Sequence, residues 1–125
     1  MPEDVKRSQR VAGRLREELA WMIERDVRDP RVRGVIVSRV EMPDDLRLAR
    51  VFVRFLEGGG DEERRKEALT GLARAAGMLR RTAASRMGLR YAPELKFAYD
   101  EAQDDRDRIE ELLHEVKTEA KQREK

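Results

Sequence analysis

A long helix-forming tract that runs directly into a strand-forming one constrains this chain more than any other feature. From Arg64 to Arg90 the sequence is rich in arginine and alanine; Tyr91-Ala92-Pro93-Glu94-Leu95-Lys96-Phe97-Ala98-Tyr99 follows, with Leu95, Phe97 and Tyr99 alternating around Lys96. Alternation at every second residue marks a strand with one buried face, and Pro93 sits at its start, where a missing N–H is tolerated. Upstream, the β-branched Val35-Ile36-Val37-Ser38-Arg39-Val40, the turn residues Pro43-Asp44-Asp45 and the run from Leu46 to Leu56 read as an antiparallel hairpin. A strand connected to a later strand by a helical crossover returns parallel in the same sheet, nearly always right-handed. The expected sheet is therefore three-stranded and mixed.

On the second hairpin strand, Ala49, Val51, Val53 and Phe55 point one way, while Arg50, Phe52 and Arg54 point the other. One face is core and the other is half basic. A first helix is expected from about Arg7 to Val27, with Val11, Leu15, Leu19, Met22, Ile23 and Val27 along one side, stopped by Asp29-Pro30. Trp21 lies beside that stripe and is expected to pack at its edge. Gly58-Gly59-Gly60 lacks the Lys-Ser or Lys-Thr of a phosphate-binding loop and precedes Asp61-Glu62-Glu63, so it reads as a flexible linker before a helix capped by Asp61.

In the central tract Leu72, Ala76, Leu79, Ala83 and Met87 share a face, with Arg74 and Arg81 opposite. A glycine inside a helix costs roughly 1 kcal/mol relative to alanine, so Gly77 after Ala75 and Ala76 predicts a kink or a close backbone contact. The element order is α-β-β-α-α-β, an α+β class with a helix-kink-helix. A last helix, about Asp104 to Lys121, carries the narrow apolar stripe Ile109, Leu112, Leu113 and Val116. Residues 1–103 are expected to form the domain, and 104–125 a charged C-terminal helix or tail.

Function classes narrow by what is missing. With 125 residues the chain fits one domain, and with no cysteine it has no disulfide, thiolate metal site or cysteine nucleophile. Its polar start, Met1-Pro2-Glu3-Asp4-Val5-Lys6-Arg7, is no secretory signal and no apolar run approaches the ~20 residues of a membrane span, so a cytoplasmic protein without a membrane partner is expected. The sole histidine, His114, has no Ser-His-Asp arrangement around it, and Asp44-Asp45 and Asp104-Asp105 are read as turn and cap residues rather than magnesium ligands. No catalytic residue, metal or cofactor is expected.

Charge points to a binding role. Eight bases and the single acid Glu67 give the Arg64–Arg90 tract a charge of +7 within a chain of net +2, while the segment from Glu101 onward is acidic. Arginine's planar donor fork suits bidentate phosphate contacts and stacking on bases. Arg74, Arg80, Arg81, Arg86 and Arg90 are the candidate RNA contacts; Lys6, Arg7, Arg10 and Arg14 form a second basic group before the acidic half of the first helix, placed to reach the same RNA or a neighbouring protein, with Lys6, Arg7 and Arg10 as further candidate RNA contacts. Tyr91 suits either base stacking or hinge packing.

The order of elements, with a basic, glycine-containing join in the central tract, resembles the type II KH fold of RNA-binding proteins. Asp29-Pro30-Arg31, Val40-Glu41, Asp45-Leu46, Ala49-Arg50-Val51-Phe52-Val53, Ala75-Ala76-Gly77-Met78-Leu79-Arg80 and Pro93-Glu94-Leu95-Lys96-Phe97-Ala98-Tyr99-Asp100 together resemble the ribosome-binding factor A family of bacterial ribosome assembly factors, over about Arg7 to Arg108. In that family an Ala-x-Gly kink replaces the Gly-x-x-Gly loop of KH domains; it falls here on Ala75, Ala76 and Gly77, which the resemblance adds to the candidate RNA contacts. The resemblance implies a non-catalytic monomer that binds free small (30S) subunits and 16S rRNA during late maturation, supports processing of the rRNA precursor and has ribosomal proteins as neighbours. The rival reading is a protein-interaction module that binds a ribosomal protein or other partner through its acidic last helix.

Overall fold

A computed structural model describes residues 6–123. The N-terminal stretch Met1 to Val5, Glu124 and Lys125 lie outside the described residues, as do the side chains of Gln103, Asp104, Asp107 and Arg123. The elements are α1 (Arg7–Arg25), a 3-10 turn (Pro30–Val32), β1 (Val35–Glu41), β2 (Leu48–Phe55), α2 (Glu62–Met87), β3 (Glu94–Tyr99) and α3 (Glu101–Arg123). β2 is the central strand, antiparallel to β1 and parallel to β3, so the sheet is mixed as expected.

The alternation on β2 holds residue by residue. Ala49, Val51, Val53 and Phe55 are buried, and they join Leu15, Leu19, Met22 and Ile23 of α1 with Leu72, Leu79 and Ala83 of α2 in one core. Both helices therefore cover the same face of the sheet and leave the other uncovered. Removing a large aliphatic or aromatic side chain from water contributes about 1.5–3 kcal/mol, which makes this layer the principal source of stability.

One irregularity decides what β1 shows to solvent. Val37 pairs with Val53, and the next pair is Arg39 with Phe52, leaving Ser38 as an extra residue on β1. Strict alternation from Val35 and Val37 would turn Arg39 into the core. The bulge shifts the parity by one, so Val40 pairs with Val51 on the core side and Arg39 emerges on the open face beside Phe52. The Ser38 hydroxyl donates to the Asp100 carboxylate at 2.6 Å, tying the bulge to the residue after β3.

The two helical pieces expected on either side of Ala75-Ala76-Gly77 are one hydrogen-bonded helix, α2, so the order is α-β-β-α-β followed by α3. Alanine, leucine and arginine around Gly77 all favour helix, and Leu72, Leu79 and Ala83 remain buried on both sides of it. Asp61 accepts from the Arg64 N–H at 2.8 Å, and Gly88, at φ 67°, ends the helix as the Leu89 N–H reaches the Ala84 carbonyl at 2.9 Å. The close contact that Gly77 was expected to make belongs to Gly71, where an added Cβ would stand 2.7 Å from Val32 Cγ2 in the 3-10 turn.

The Gly58-Gly59-Gly60 linker is irregular backbone held by specific contacts. Its glycines all have positive φ, a Cβ on Gly60 would stand 2.7 Å from the Phe55 ring, and the Tyr99 hydroxyl donates to the Gly59 carbonyl at 2.8 Å. α3 begins at Glu101, ahead of the expected start near Asp104, and its apolar stripe of Ile109, Leu112, Leu113 and Val116 is exposed. Among the described residues no helix is long and apolar enough to cross a membrane.

The two glycines of α2 are expected to respond oppositely to alanine. Gly71→Ala overpacks the contact with Val32 and should cost on the order of 1–3 kcal/mol, outweighing its gain in helix propensity. Gly77→Ala meets only the flexible end of Arg81 and should stabilise by up to about 1 kcal/mol. Urea unfolding of both variants measures the difference; equal stabilities would show that α2 does not rest on the 3-10 turn through Gly71.

Candidate nucleic-acid interface

Burial of Leu72, Leu79 and Ala83 fixes the rotation of α2, and that rotation sorts its arginines. Arg74 and Arg81 are exposed on the side away from the core, about 10 Å apart along the axis at 1.5 Å per residue. Gly77 lies between them, and a Cβ there would meet only the Arg81 guanidinium, 3.2 Å from Nη1. The missing side chain therefore leaves room for the Arg81 guanidinium to lie back over the helix, and a cation covers this position. Ala75 and Ala76 are half-buried, and Ala75 packs against the core.

Arg80 and Arg86 have structural partners. The Arg80 Nη2 donates to the Ala92 carbonyl at 2.7 Å, and its Nε is buried, so the side chain holds the α2–β3 connection against the helix. Arg86 Nε forms an ion pair with Glu18 Oε2 at 2.8 Å, joining the end of α2 to α1. Arg90 is exposed at the end of the same connection, with its guanidinium 5.5 Å from the centre of the Tyr91 ring. Tyr91 is 74% exposed, so it is not a packed hinge residue but an open aromatic surface beside a cation.

The fold brings the second basic group to this point. Arg7, at the start of α1, lines a groove of about 690 Å³ with Asp45, Leu46, Arg47, Arg90 and Tyr91. Lys6 and Arg10 are exposed on either side of Arg7. Arg47 escaped the sequence reading; its only signal was its place just after Pro43-Asp44-Asp45, where a cation is carried on the rim of a turn. Trp21 is half-exposed at the far end of α1, with Arg25 4.8 Å from its ring centre.

Several acids serve to organise the chain. Asp44 accepts from the Ser8 hydroxyl at 3.0 Å and fastens the hairpin turn to α1, while Asp45 accepts from the Arg47 N–H at 3.1 Å within the turn. Asp29 accepts from the backbone N–H of Arg31 at 3.0 Å and from its Nη2 at 2.6 Å, closing the 3-10 turn that packs on Gly71. Hydrogen bonds from Arg31, aided by the charge of Arg74, hold the Asp29 carboxyl down at about 2. Among the described residues no group of three or more His, Cys, Asp or Glu is placed to hold a metal ion.

Residues 7–113 match the family model described as ribosome-binding factor A. Ribosome-binding factor A of Sorangium cellulosum is 55% identical over 113 residues, covering 90% of each chain. The crystal structure of ribosome-binding factor A from Thermus thermophilus superposes with a TM-score of 0.63 at 28% identity, over 74% of this chain and 94% of that one. A homology model of the Thermus thermophilus factor, fitted into a cryo-electron-microscopy map of its complex with the 30S subunit, superposes with a TM-score of 0.58 at 29% identity, over 72% and 91%.

The depressed acidity of Asp29 carries a pH signature. A carboxyl lowered in the folded state contributes stability that is complete above its ordinary value of 3.8 and is lost as pH falls through about 2. Asp29→Asn should be less stable than the parent at neutral pH, with the gap narrowing between about pH 4 and pH 2. Urea midpoints across that range check it, and parallel curves would mean that Asp29 is not held ionised by the turn.

Proposed function

The chain belongs to the ribosome-binding factor A family, and on that basis we propose that it binds the small (30S) ribosomal subunit through 16S rRNA, using the exposed face of α2 and the groove at Arg7 and Arg90. The observation that carries this reading is the exposed Arg74–Arg81 pair, with the Arg81 guanidinium over Gly77, on a helix whose rotation the core fixes. Guanidinium groups at those positions take phosphate oxygens bidentately, while Tyr91 offers a ring face to an unpaired base. The described residues offer recognition chemistry, so the protein acts by favouring one rRNA arrangement over others and supports precursor processing by presenting ends to other factors. It works as a monomer in the cytoplasm, where ribosomal proteins bordering the rRNA are its neighbours. Arg80 and Arg86 serve by holding the connection and α1 in place, and Lys6 and Arg10 add charge around Arg7.

The exposed stripe of Ile109, Leu112, Leu113 and Val116 favours a second role for α3. An amphipathic helix with an open apolar side suits a protein groove, as expected of the rival interaction module. On this reading residues 1–103 bind RNA and the segment from residue 104 onward meets a protein.

Replacing Arg74 and Arg81 together by alanine should weaken binding to 30S subunits and reduce the slope of log affinity against log salt by about 1.5, since each lost phosphate contact removes roughly 0.7–0.9. The circular dichroism spectrum should be unchanged. Unaltered affinity and salt slope in a folded Arg74→Ala/Arg81→Ala protein would remove α2 from the interface. Arg80→Ala should instead act on the fold, costing on the order of 1–3 kcal/mol in urea unfolding because the Ala92 carbonyl loses its charged donor.

A further inference from the structure

The sheet face that the helices leave open carries an arrangement the α2 interface does not use. We propose that this face is a second contact surface for single-stranded RNA, where Arg39, resting on Phe52, takes an unpaired base and Arg50 and Lys96 take the neighbouring phosphates. The proposal rests on the RNA-binding reading above but places a distinct contact on the opposite side of the molecule.

Arg39 is held in place to a degree unusual for a surface arginine. Its guanidinium carbon lies 3.8 Å from the centre of the Phe52 ring, its Nε faces Asp100 Oδ2 at 3.3 Å, and its Nη1 pairs with Glu41. Asp100 is only 3% exposed and is itself fixed by the Ser38 hydroxyl, so the anchor beneath Arg39 is rigid. The Arg39 side chain nevertheless remains 42% exposed. A guanidinium supported from below by a ring and held at its edges by two carboxylates has already lost most of its rotamer freedom. Its outer surface therefore offers a base a stacking partner at low entropic cost. The bulge at Ser38 is what brings Arg39 to this face.

The adjoining cations supply the electrostatic half. Arg50 of β2 and Lys96 of β3 are directly paired in the parallel register, and both are exposed. Like charges facing each other across strands destabilise a sheet. Glu41, opposite Arg50 on β1, offsets part of that repulsion but is also engaged by Arg39. A phosphate between Arg50 and Lys96 would relieve the remainder. α3 leaves the sheet directly after Asp100, and its described side chains are exposed, so it does not cover this row. Duplex RNA presents no unstacked base to Arg39, so a single strand is the form that satisfies both halves of the surface.

The test uses the full chain, a short single-stranded RNA oligonucleotide of mixed sequence and the duplex of the same sequence. Arg50→Ala/Lys96→Ala should keep or raise the melting temperature, because repulsion is relieved, while lowering the salt slope for the single strand by about 1.4. Arg39→Lys keeps the charge near Asp100 but not the planar surface, and should lower single-strand affinity about tenfold or more, as loss of one stacked base does, leaving duplex binding unchanged. In the wild type, the Arg39 Nε–Hε resonance should move upfield as the oligonucleotide is added, from the ring current of a stacked base. Wild-type single-strand binding by both sheet variants, with binding lost in Arg74→Ala/Arg81→Ala, would overturn this second surface and leave the α2 interface standing. Wild-type binding by all three variants would overturn both. Loss in the sheet variants alone would support this surface and move the principal contact away from α2.

Discussion

Ala49, Val51, Val53 and Phe55 lie on the central strand with neighbours on both sides, and α1 and α2 together remove them from water. Most of the rest of the structure depends on that burial. Because a strand alternates, burying this row turns Arg50, Phe52 and Arg54 outward; because a helix repeats every 3.6 residues, burying Leu72, Leu79 and Ala83 turns Arg74 and Arg81 outward. The same apolar contacts that hold the fold thus give it two charged surfaces facing opposite ways. Neither surface needs a loop to place its cations. Both are carried on elements whose positions are fixed by the core.

The arginines divide by what surrounds them. Arg80, Arg86 and Arg31 direct their guanidinium groups to a carbonyl or a carboxylate of the chain itself, and Arg64 and Arg65 lie over the rings of Phe55 and Tyr99 at 4.0 and 4.1 Å. In a chain with 5% aromatic residues, these long side chains complete the packing that larger rings supply elsewhere. A count of arginines along α2 therefore overstates the number available to a ligand. Local charge density is legible along the chain, but hydrogen-bond partners decide which cations stay exposed.

The glycines make a parallel point. Gly71 and Gly77 look alike in sequence, each flanked by small or helix-favouring residues. Gly71 faces the 3-10 turn closed by Asp29 and Arg31, and its missing Cβ lets that turn settle on the helix. Gly77 faces outward, and its missing Cβ leaves room for the Arg81 guanidinium. One glycine admits a turn and the other a guanidinium, and only the direction of the absent side chain tells them apart.

Period-two alternation around Lys96 and along Ala49 to Phe55, period-3.6 stripes from Val11 to Ile23 and from Leu72 to Met87, and the length of the crossover determined the mixed sheet and the covering of one face. These are local consequences of where apolar residues fall, and the sequence carries them in full. The basic character of the α2 tract was equally plain. What the linear pattern could not contain were relations between distant residues: the meeting of Arg7 with Arg47 and Arg90, the engagement of Arg80 by Ala92, the contact of Gly71 with Val32, and the pairing of Arg50 with Lys96. The bulge at Ser38 belongs with them, since its parity shift exists only relative to β2. Sequence sets the periodicity of each element by itself, whereas register, rotation and the partner of each charge follow from packing one element against another, and only the tertiary structure decided those.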